Sequence, residues 1–133
     1  MKRNPDLIRK ILFYIEQNYE AGEKWITSVE IDGYSDVVIA EHIVLAYQDG
    51  FIQAIKDVSS CSGTEYWVGN LTNSGYDFLD KIRSDTVWNK TKEVITEKGL
   101  PMLTGTISTI ANAFITSAAE GVANAILKQG GIV

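Results

Sequence analysis

The stretch LTNSGYDFLDKIRSDTVW, residues 71–88, decides the fold because it joins the end of a strand to the start of a helix. Its Asn73-Ser74-Gly75 segment has the composition of a turn. Apolar residues then recur at helical spacing, at Tyr76, Phe78, Leu79, Ile82, Val87, Trp88, Val94 and Ile95. We predict one amphipathic helix from about Gly75 to Lys98, bent near Asp85, and ended by the Gly99 and Pro101 that follow.

The residues before this stretch alternate between helical and strand patterns. Pro5 suits a first helical turn, Ser35 suits an N-cap, and Gly50 suits the position after a helix. The predicted elements are a helix at 5–19, a strand at 25–31, a helix at 35–49 and two hairpin strands at 51–58 and 65–71. Helix, short strand, helix and β-hairpin is the order of a winged-helix domain. We therefore predict an α+β fold, with residues 59–64 as the wing.

Residues 99–133 differ in composition, since Glu120 and Lys128 are their only charges. On a helical projection, one side of this tail is apolar and the other carries uncharged polar residues. We predict an appended amphipathic helix, whose partner-binding residues are Leu103, Ile107, Ile110, Phe114 and Val122. Self-association or docking on a partner is the favoured interpretation. Insertion at a membrane surface and folding back onto the chain remain alternatives.

Charge and cysteine content exclude several classes of protein. The chain has 133 residues, a formal net charge of −5 and a single cysteine, Cys61. The acidic net charge argues against non-specific coating of nucleic acid but does not exclude a local basic patch. One cysteine cannot form an intrachain disulfide or a four-cysteine zinc site. Asp6, Arg9 and Lys10 interrupt any secretory signal, and no apolar run is long enough for a transmembrane helix. We expect a cytoplasmic protein without a metal or cofactor.

Three segments of the first hundred residues carry a family resemblance: RNPDLIRKILFYIE, IDGYSDVVIAEHIVLAYQDGFIQA and LTNSGYDFLDKIRSDTVWNKTKE. In them the chain resembles the domain of unknown function 2513 family of small bacterial and prophage-associated proteins, over residues 1–98. The resemblance implies a winged-helix-like fold and supplies no catalytic residues. The tail lies outside it.

Two groups of side chains bear on nucleic-acid binding. The predicted phosphate contacts are Lys2, Arg3, Arg9, Lys10 and Lys56. The helix in the position of a recognition helix, residues 35–49, has three carboxylates and no Lys or Arg, which disfavours direct reading of a DNA groove. The aromatic residues that could stack on bases are Trp25, Tyr66, Trp67 and Trp88, although packing in the core and hairpin is the simpler prediction for them.

The remaining candidates favour structural roles. His42 is the only histidine, and we predict a hydrogen-bonded residue beside the core rather than a metal ligand. No convergent nucleophile, acid and base can be assembled. We therefore predict a non-enzymatic interaction protein with two parts, a winged-helix-like domain at 1–98 and a tail at 99–133. It would self-associate into a homo-oligomer and bind a protein partner, and the acidity of the chain would suit a basic one. The alternative is a winged-helix DNA-binding transcriptional regulator.

Overall fold

The computed structural model of the chain describes the backbone of residues 1–129 and the side chains of residues 1–118. Within that part the fold is α+β, as predicted. Its elements are α1 (Pro5–Asn18), α2 (Asp36–Gln48), β1 (Ile55–Asp57), β2 (Tyr66–Val68), α3 (Asn73–Ile82), α4 (Asp85–Glu97) and α5 (Thr104–Gln129).

The chain divides into two compact units, Met1–Asp80 and Lys81–Val133. The first holds α1, α2 and the hairpin, and the second holds α4 and α5. The sequence-based division into residues 1–98 and 99–133 stays a prediction.

The core of the first unit is built on α1 and α2. The apolar face predicted for α1 is buried, at Leu7, Ile8, Ile11, Leu12 and Ile15. The two helices run antiparallel, because Asn4 at the start of α1 contacts His42 in the middle of α2, whereas Lys10 further along α1 lies over Tyr34 before α2 begins. Gly50, with φ +82°, follows α2 as predicted, and the Phe51 N–H donates to the Ala46 carbonyl to close the helix end.

A small sheet covers α2. β1 and β2 pair antiparallel, with Ile55 opposite Val68 and Lys56 opposite Trp67. Ile26 adds a single bridge to Val68 on the other side of β2. The strand expected at residues 25–31 is therefore wrong beyond Ile26, since pairing stops there and the chain turns away. The hairpin strands are also shorter than expected, at three residues each.

The long helix expected from Gly75 to Lys98 is also wrong, because the chain forms α3 and α4 instead. Ser84 has extended backbone angles, and its side chain accepts a hydrogen bond from the Val87 N–H at 3.4 Å, so it caps a new helix. At the start of α3, the first helical turn is formed by Asn73, Ser74 and Gly75, which were expected to be a turn before the helix. Thr72 caps that turn by accepting from the Gly75 N–H at 3.0 Å.

The second unit is a pair of packed helices. α4 packs along α5, and the buried apolar side chains of the pair include Trp88, Ile95, Ile107 and Ala111. Lys81 donates a hydrogen bond to the Ser108 hydroxyl at 3.0 Å. The tail thus folds against α4 along at least part of its apolar side.

The first turn of α3 lies so close to residue 51 that only glycine fits at position 75. A Cβ on Gly75 would overlap the Phe51 carbonyl oxygen and lie 3.2 Å from the Phe51 Cα. That carbonyl also accepts a hydrogen bond from the Thr72 N–H at 3.0 Å, so it cannot easily move. The close approach brings the Phe51 and Phe78 rings into a stack with centroids 4.6 Å apart.

We predict that Gly75→Ala lowers the free energy of unfolding by about 1–3 kcal/mol, because backbone must shift to admit the methyl group. Gly105→Ala is the matched control: a Cβ there meets nothing within 4 Å, so the variant should be neutral or up to about 1 kcal/mol more stable. Urea unfolding of both variants checks this. Equal stability of Gly75→Ala and the native protein would contradict the close approach.

Candidate interaction surface

A cleft of about 390 Å³ opens between the start of α2, the segment at residues 28–30 and the tip of the hairpin. We call it the α2 cleft. Its apolar floor comes from Ile39, Ala40 and Ile43, which are buried in α2. Hydroxyl groups line its walls, from Ser28, Ser35, Ser60, Ser62, Thr64 and Tyr66. This combination of an apolar floor and polar walls is typical of a site that holds a side chain or small group.

The charged groups that line the α2 cleft are all acidic. Glu30, Asp36 and Glu65 lie on three different segments of its rim and are exposed to solvent. Glu30 also accepts a hydrogen bond from the Ser28 hydroxyl at 3.5 Å. Among the described residues that line the cleft, none is Lys, Arg or His, so its negative potential would attract a cation.

The outer face of α2 continues this surface. Val37 is 54% exposed and Tyr47 is 42% exposed. Glu41, between them in sequence, and Gln48, directly after Tyr47, are also exposed. Partial burial raises the pKa of Asp49, just after the helix, against the opposing effect of the nearby Arg3 guanidinium. The face therefore presents apolar and acidic groups together.

The hairpin tip that forms one wall is held by its own hydrogen bonds. The Ser59 N–H donates to the Asp57 carboxylate at 2.8 Å, and the Glu65 N–H donates to the Ser59 hydroxyl at 3.0 Å. Ser60 and Gly63 pair through both backbone bonds, at 2.9 and 3.1 Å. Hydrogen bonds from the side chain and backbone of Ser59 lower the pKa of Asp57. The polar loop expected at residues 59–64 is therefore an ordered hairpin end.

The five cations predicted to contact phosphate lie in different settings. Lys2, Arg3 and Lys10 are exposed at α1, and Lys10 lies 5.4 Å from the centre of the Tyr34 ring. The Arg9 guanidinium lies 5.0 Å from the centre of the Phe13 ring. Lys56 is paired with Trp67, and strand alternation places that pair on the face of the sheet opposite the buried Val68. Lys56 therefore faces away from α2.

The predicted tail contacts are also unequally exposed. Leu103 is 46% exposed, whereas Ile107 is only 1% exposed, and Ile110 and Phe114 are intermediate. The side chain of Val122 lies outside the described residues. Ile115, which the sequence analysis did not select, is 36% exposed. Among the described residues from 103 to 118, the large apolar side chains exposed to solvent are thus Leu103, just before α5, and Ile115 within it.

His42 is fully buried and hydrogen-bonded at both ring nitrogens. The backbone N–H of Asn4 donates to its Nε2 at 2.9 Å, and its Nδ1 lies 2.8 Å from the Val38 carbonyl. Nε2 must be the acceptor and Nδ1 the protonated nitrogen, so the ring is neutral in this arrangement. Among the described residues, no group of three or more metal-binding side chains comes together, and no helix is long and apolar enough to cross a membrane.

Sequence reasoning did not find the α2 cleft. Glu30, Asp36 and Glu65 come from a loop, a helix start and a strand edge, so no local spacing signals their proximity. The available signal was compositional: every charged residue from 29 to 49 is acidic. That excess marks the region, although it does not reveal a cleft.

The chain is thus a small α+β protein with an acidic, partly apolar face around α2. The family model described as "Hypothetical protein (DUF2513)" matches residues 2–101, and the chain belongs to that family. It is also similar to an uncharacterized protein of Haemophilus influenzae, with 37% identity over 116 residues that cover 87% of this chain and 97% of the relative. No solved structure matches the chain.

We predict that Asp57→Asn lowers the melting temperature at neutral pH, because the charged acceptor for Ser59 is lost. The pKa of Asp57 is lowered in the folded state, so its contribution to stability is present above the ordinary value of 3.8 and lost as the pH falls through the folded value. The difference in stability between the native protein and Asp57→Asn should therefore shrink in acid. Thermal unfolding at neutral pH and near pH 3 measures it, and a difference independent of pH would contradict the assignment.

Proposed function

We propose that this protein is a non-enzymatic protein-interaction module whose α2 cleft receives a basic segment of a protein partner. The observation that carries the proposal is the cleft itself, with an apolar floor at Ile39, Ala40 and Ile43 below three carboxylates. Lys and Arg side chains have apolar stems and charged ends, so they match both layers of such a cleft.

The surroundings of the cleft support binding to protein. Val37 and Tyr47 would add apolar contact area next to the charged rim, which is the usual division between the core and edge of an interface. The carboxylates would speed encounter with a basic partner and select against acidic ones. The volume of about 390 Å³ suits one or two side chains rather than a whole helix.

For the fold we propose the winged-helix-like arrangement expected from the sequence. The bridge from Ile26 to β2 places a third segment beside the hairpin, in the order Ile26, β2, β1, with α2 packed on the same sheet. In that arrangement α2 occupies the place of a recognition helix and the hairpin tip that of the wing. The α2 cleft would then use the surface with which related architectures read DNA, with its charge reversed.

A DNA-binding transcriptional regulator is the second candidate. The observation in its favour is that exposed cations flank both ends of α2, with Lys10 beside Tyr34 and Arg3 beside Asp49. Phosphate contacts commonly flank a recognition helix in this way. The carboxylates of α2 itself oppose the phosphate backbone, and for this reason we rank this function below protein binding.

We also propose that the protein is cytoplasmic and is encoded by a phage or other mobile element. The single exposed Cys61 suits a reducing compartment, and the family resemblance suggests the genetic setting.

We expect a labelled lysine- and arginine-rich peptide to bind the full-length protein. The double variant Glu30→Gln/Glu65→Gln should bind it about two- to thirtyfold more weakly, since each exposed pair contributes about 0.2–1 kcal/mol. The control is Glu41→Gln, which removes one carboxylate from the outer face of α2 outside the cleft lining, so by net charge alone it should weaken binding half as much on a logarithmic scale. Fluorescence anisotropy at fixed ionic strength measures all three. Weakening of that size by the control would show that peptide binding depends on net charge alone, and would contradict binding in the α2 cleft.

A labelled DNA duplex titrated at two salt concentrations separates the two functions. Submicromolar affinity that falls steeply with salt would favour the regulator. In that case Arg3→Gln and Lys10→Gln should each weaken duplex binding. Absence of duplex binding, together with cleft-dependent peptide binding, supports the interaction module.

We further expect the protein to form a homo-oligomer through α5. Leu103→Ser/Ile115→Ser should shift the protein toward monomer in sedimentation equilibrium, because both apolar side chains are exposed in the single chain. Asn112→Ser, at an exposed polar position on the same helix, is the control. A native protein that sediments as a monomer at its highest attainable concentration would contradict self-association.

A further inference from the structure

The outer face of the small sheet, on the side away from α2, carries two tryptophans. Val68 and Ile26 form a bridged pair, and Val68 is fully buried. Because neighbouring side chains on a strand point to opposite faces, Trp67 and Trp25 both lie on the outer side. Both are half-buried, so part of each indole remains open to solvent.

The two indoles are diagonal neighbours on adjacent segments. Trp25 is one residue before Ile26 and Trp67 one residue before Val68, in an antiparallel pair. Diagonal neighbours of this kind lie about 7–8 Å apart. Two half-buried aromatic rings therefore lie on the same face of the sheet, and Tyr19 at the end of α1 adjoins one of them, Trp25.

A lysine lies over each of these rings. The Lys24 Nζ is 5.6 Å from the centre of the Trp25 ring, and the Lys56 Nζ is 5.3 Å from the centre of the Trp67 ring. Both lysines are exposed. The outer face thus interleaves aromatic and cationic groups, in a chain whose net charge is negative.

A second cleft, of about 400 Å³, adjoins Trp25 on this face. Besides Trp25, its lining residues are Tyr19, Gly22, Glu23, Lys24, Gln53, Ala54, Gly69 and Asn70. The Tyr76 hydroxyl donates to the Asn70 Oδ1 at 3.0 Å, which leaves the amino group of that side chain to donate elsewhere. A planar ring placed against Trp25 would find both space and hydrogen-bonding groups beside it.

We propose that this outer sheet face binds single-stranded nucleic acid, with bases stacking on Trp25 and Trp67 and adjacent phosphates paired with Lys24 and Lys56. Stacking on aromatic side chains tolerates any base, and the lysines supply the charge that the backbone requires. The proposal concerns a different face from the α2 cleft, and does not depend on that cleft or its partner.

Other ligands fit the face less well. A duplex hides its base faces, so it could use the lysines but not the indoles. A neutral sugar could stack on the indoles, but it has no negative charge to pair with the two lysines. An acidic peptide could use the lysines without needing two planar rings. Single-stranded nucleic acid is the ligand that uses both kinds of group at once.

The test is titration of the full-length protein with an oligothymidylate, followed by tryptophan fluorescence quenching and by anisotropy of a labelled strand. We expect quenching, and a plot of log affinity against log salt with a slope of about −1.4 for two phosphates. Lys24→Gln/Lys56→Gln should weaken binding at least about tenfold and flatten that slope, and Trp25→Leu/Trp67→Leu should abolish most of the quenching and weaken binding.

Lys92→Gln is the matched control, because Lys92 also lies 5.3 Å from the centre of a tryptophan ring but that ring, in Trp88, is buried. It should bind as the native protein does. An abasic strand of equal length tests stacking and should bind more weakly. The proposal would be overturned if the abasic strand or polyglutamate bound as well as the oligothymidylate. It would also be overturned if Lys92→Gln weakened binding equally, or if nothing bound at low salt.

Discussion

The arrangement of the first unit depends on one buried imidazole. His42 accepts a hydrogen bond from the Asn4 backbone and donates one to the Val38 carbonyl, so it connects the capping residue of α1 to the middle of α2. A buried polar ring is tolerated only when both nitrogens are satisfied, and here both are. The bond fixes where α1 starts against α2. That placement sets Lys10 beside Tyr34 and orients the face of α2 that lines the acidic cleft.

Features with local causes could be predicted from the sequence, and those with distant causes could not. Pro5, Ser35 and Gly50 mark helix ends through their own backbone preferences, and α1 and α2 lie where these residues indicate. The strand expected at residues 25–31 was overestimated because β-branched residues signal compatibility with a strand, whereas pairing needs a partner that only Val68 provides. The break at Ser84 was missed because the apolar spacing continues across it. The α2 cleft could not be predicted from local sequence patterns, since it combines carboxylates from three segments.

Charge in this protein is distributed by face rather than spread evenly. The α2 cleft gathers carboxylates over an apolar floor, while the outer face of the same sheet places Lys24 and Lys56 over half-buried indoles. A net charge of −5 describes neither face. The thin hairpin separates the two surfaces, so each can be altered by substitutions that leave the core residues of the sheet, such as Val68, in place.

The hairpin tip also carries a thiol that can be labelled covalently. Cys61 is exposed, it is the only cysteine in the sequence, and its neighbours Ser60 and Ser62 line the α2 cleft. Hydrogen bonds between Ser60 and Gly63 hold the turn that carries it. A maleimide dye would therefore attach at a single defined point without any engineered mutation. Its emission would report directly on whether the neighbouring cleft is occupied.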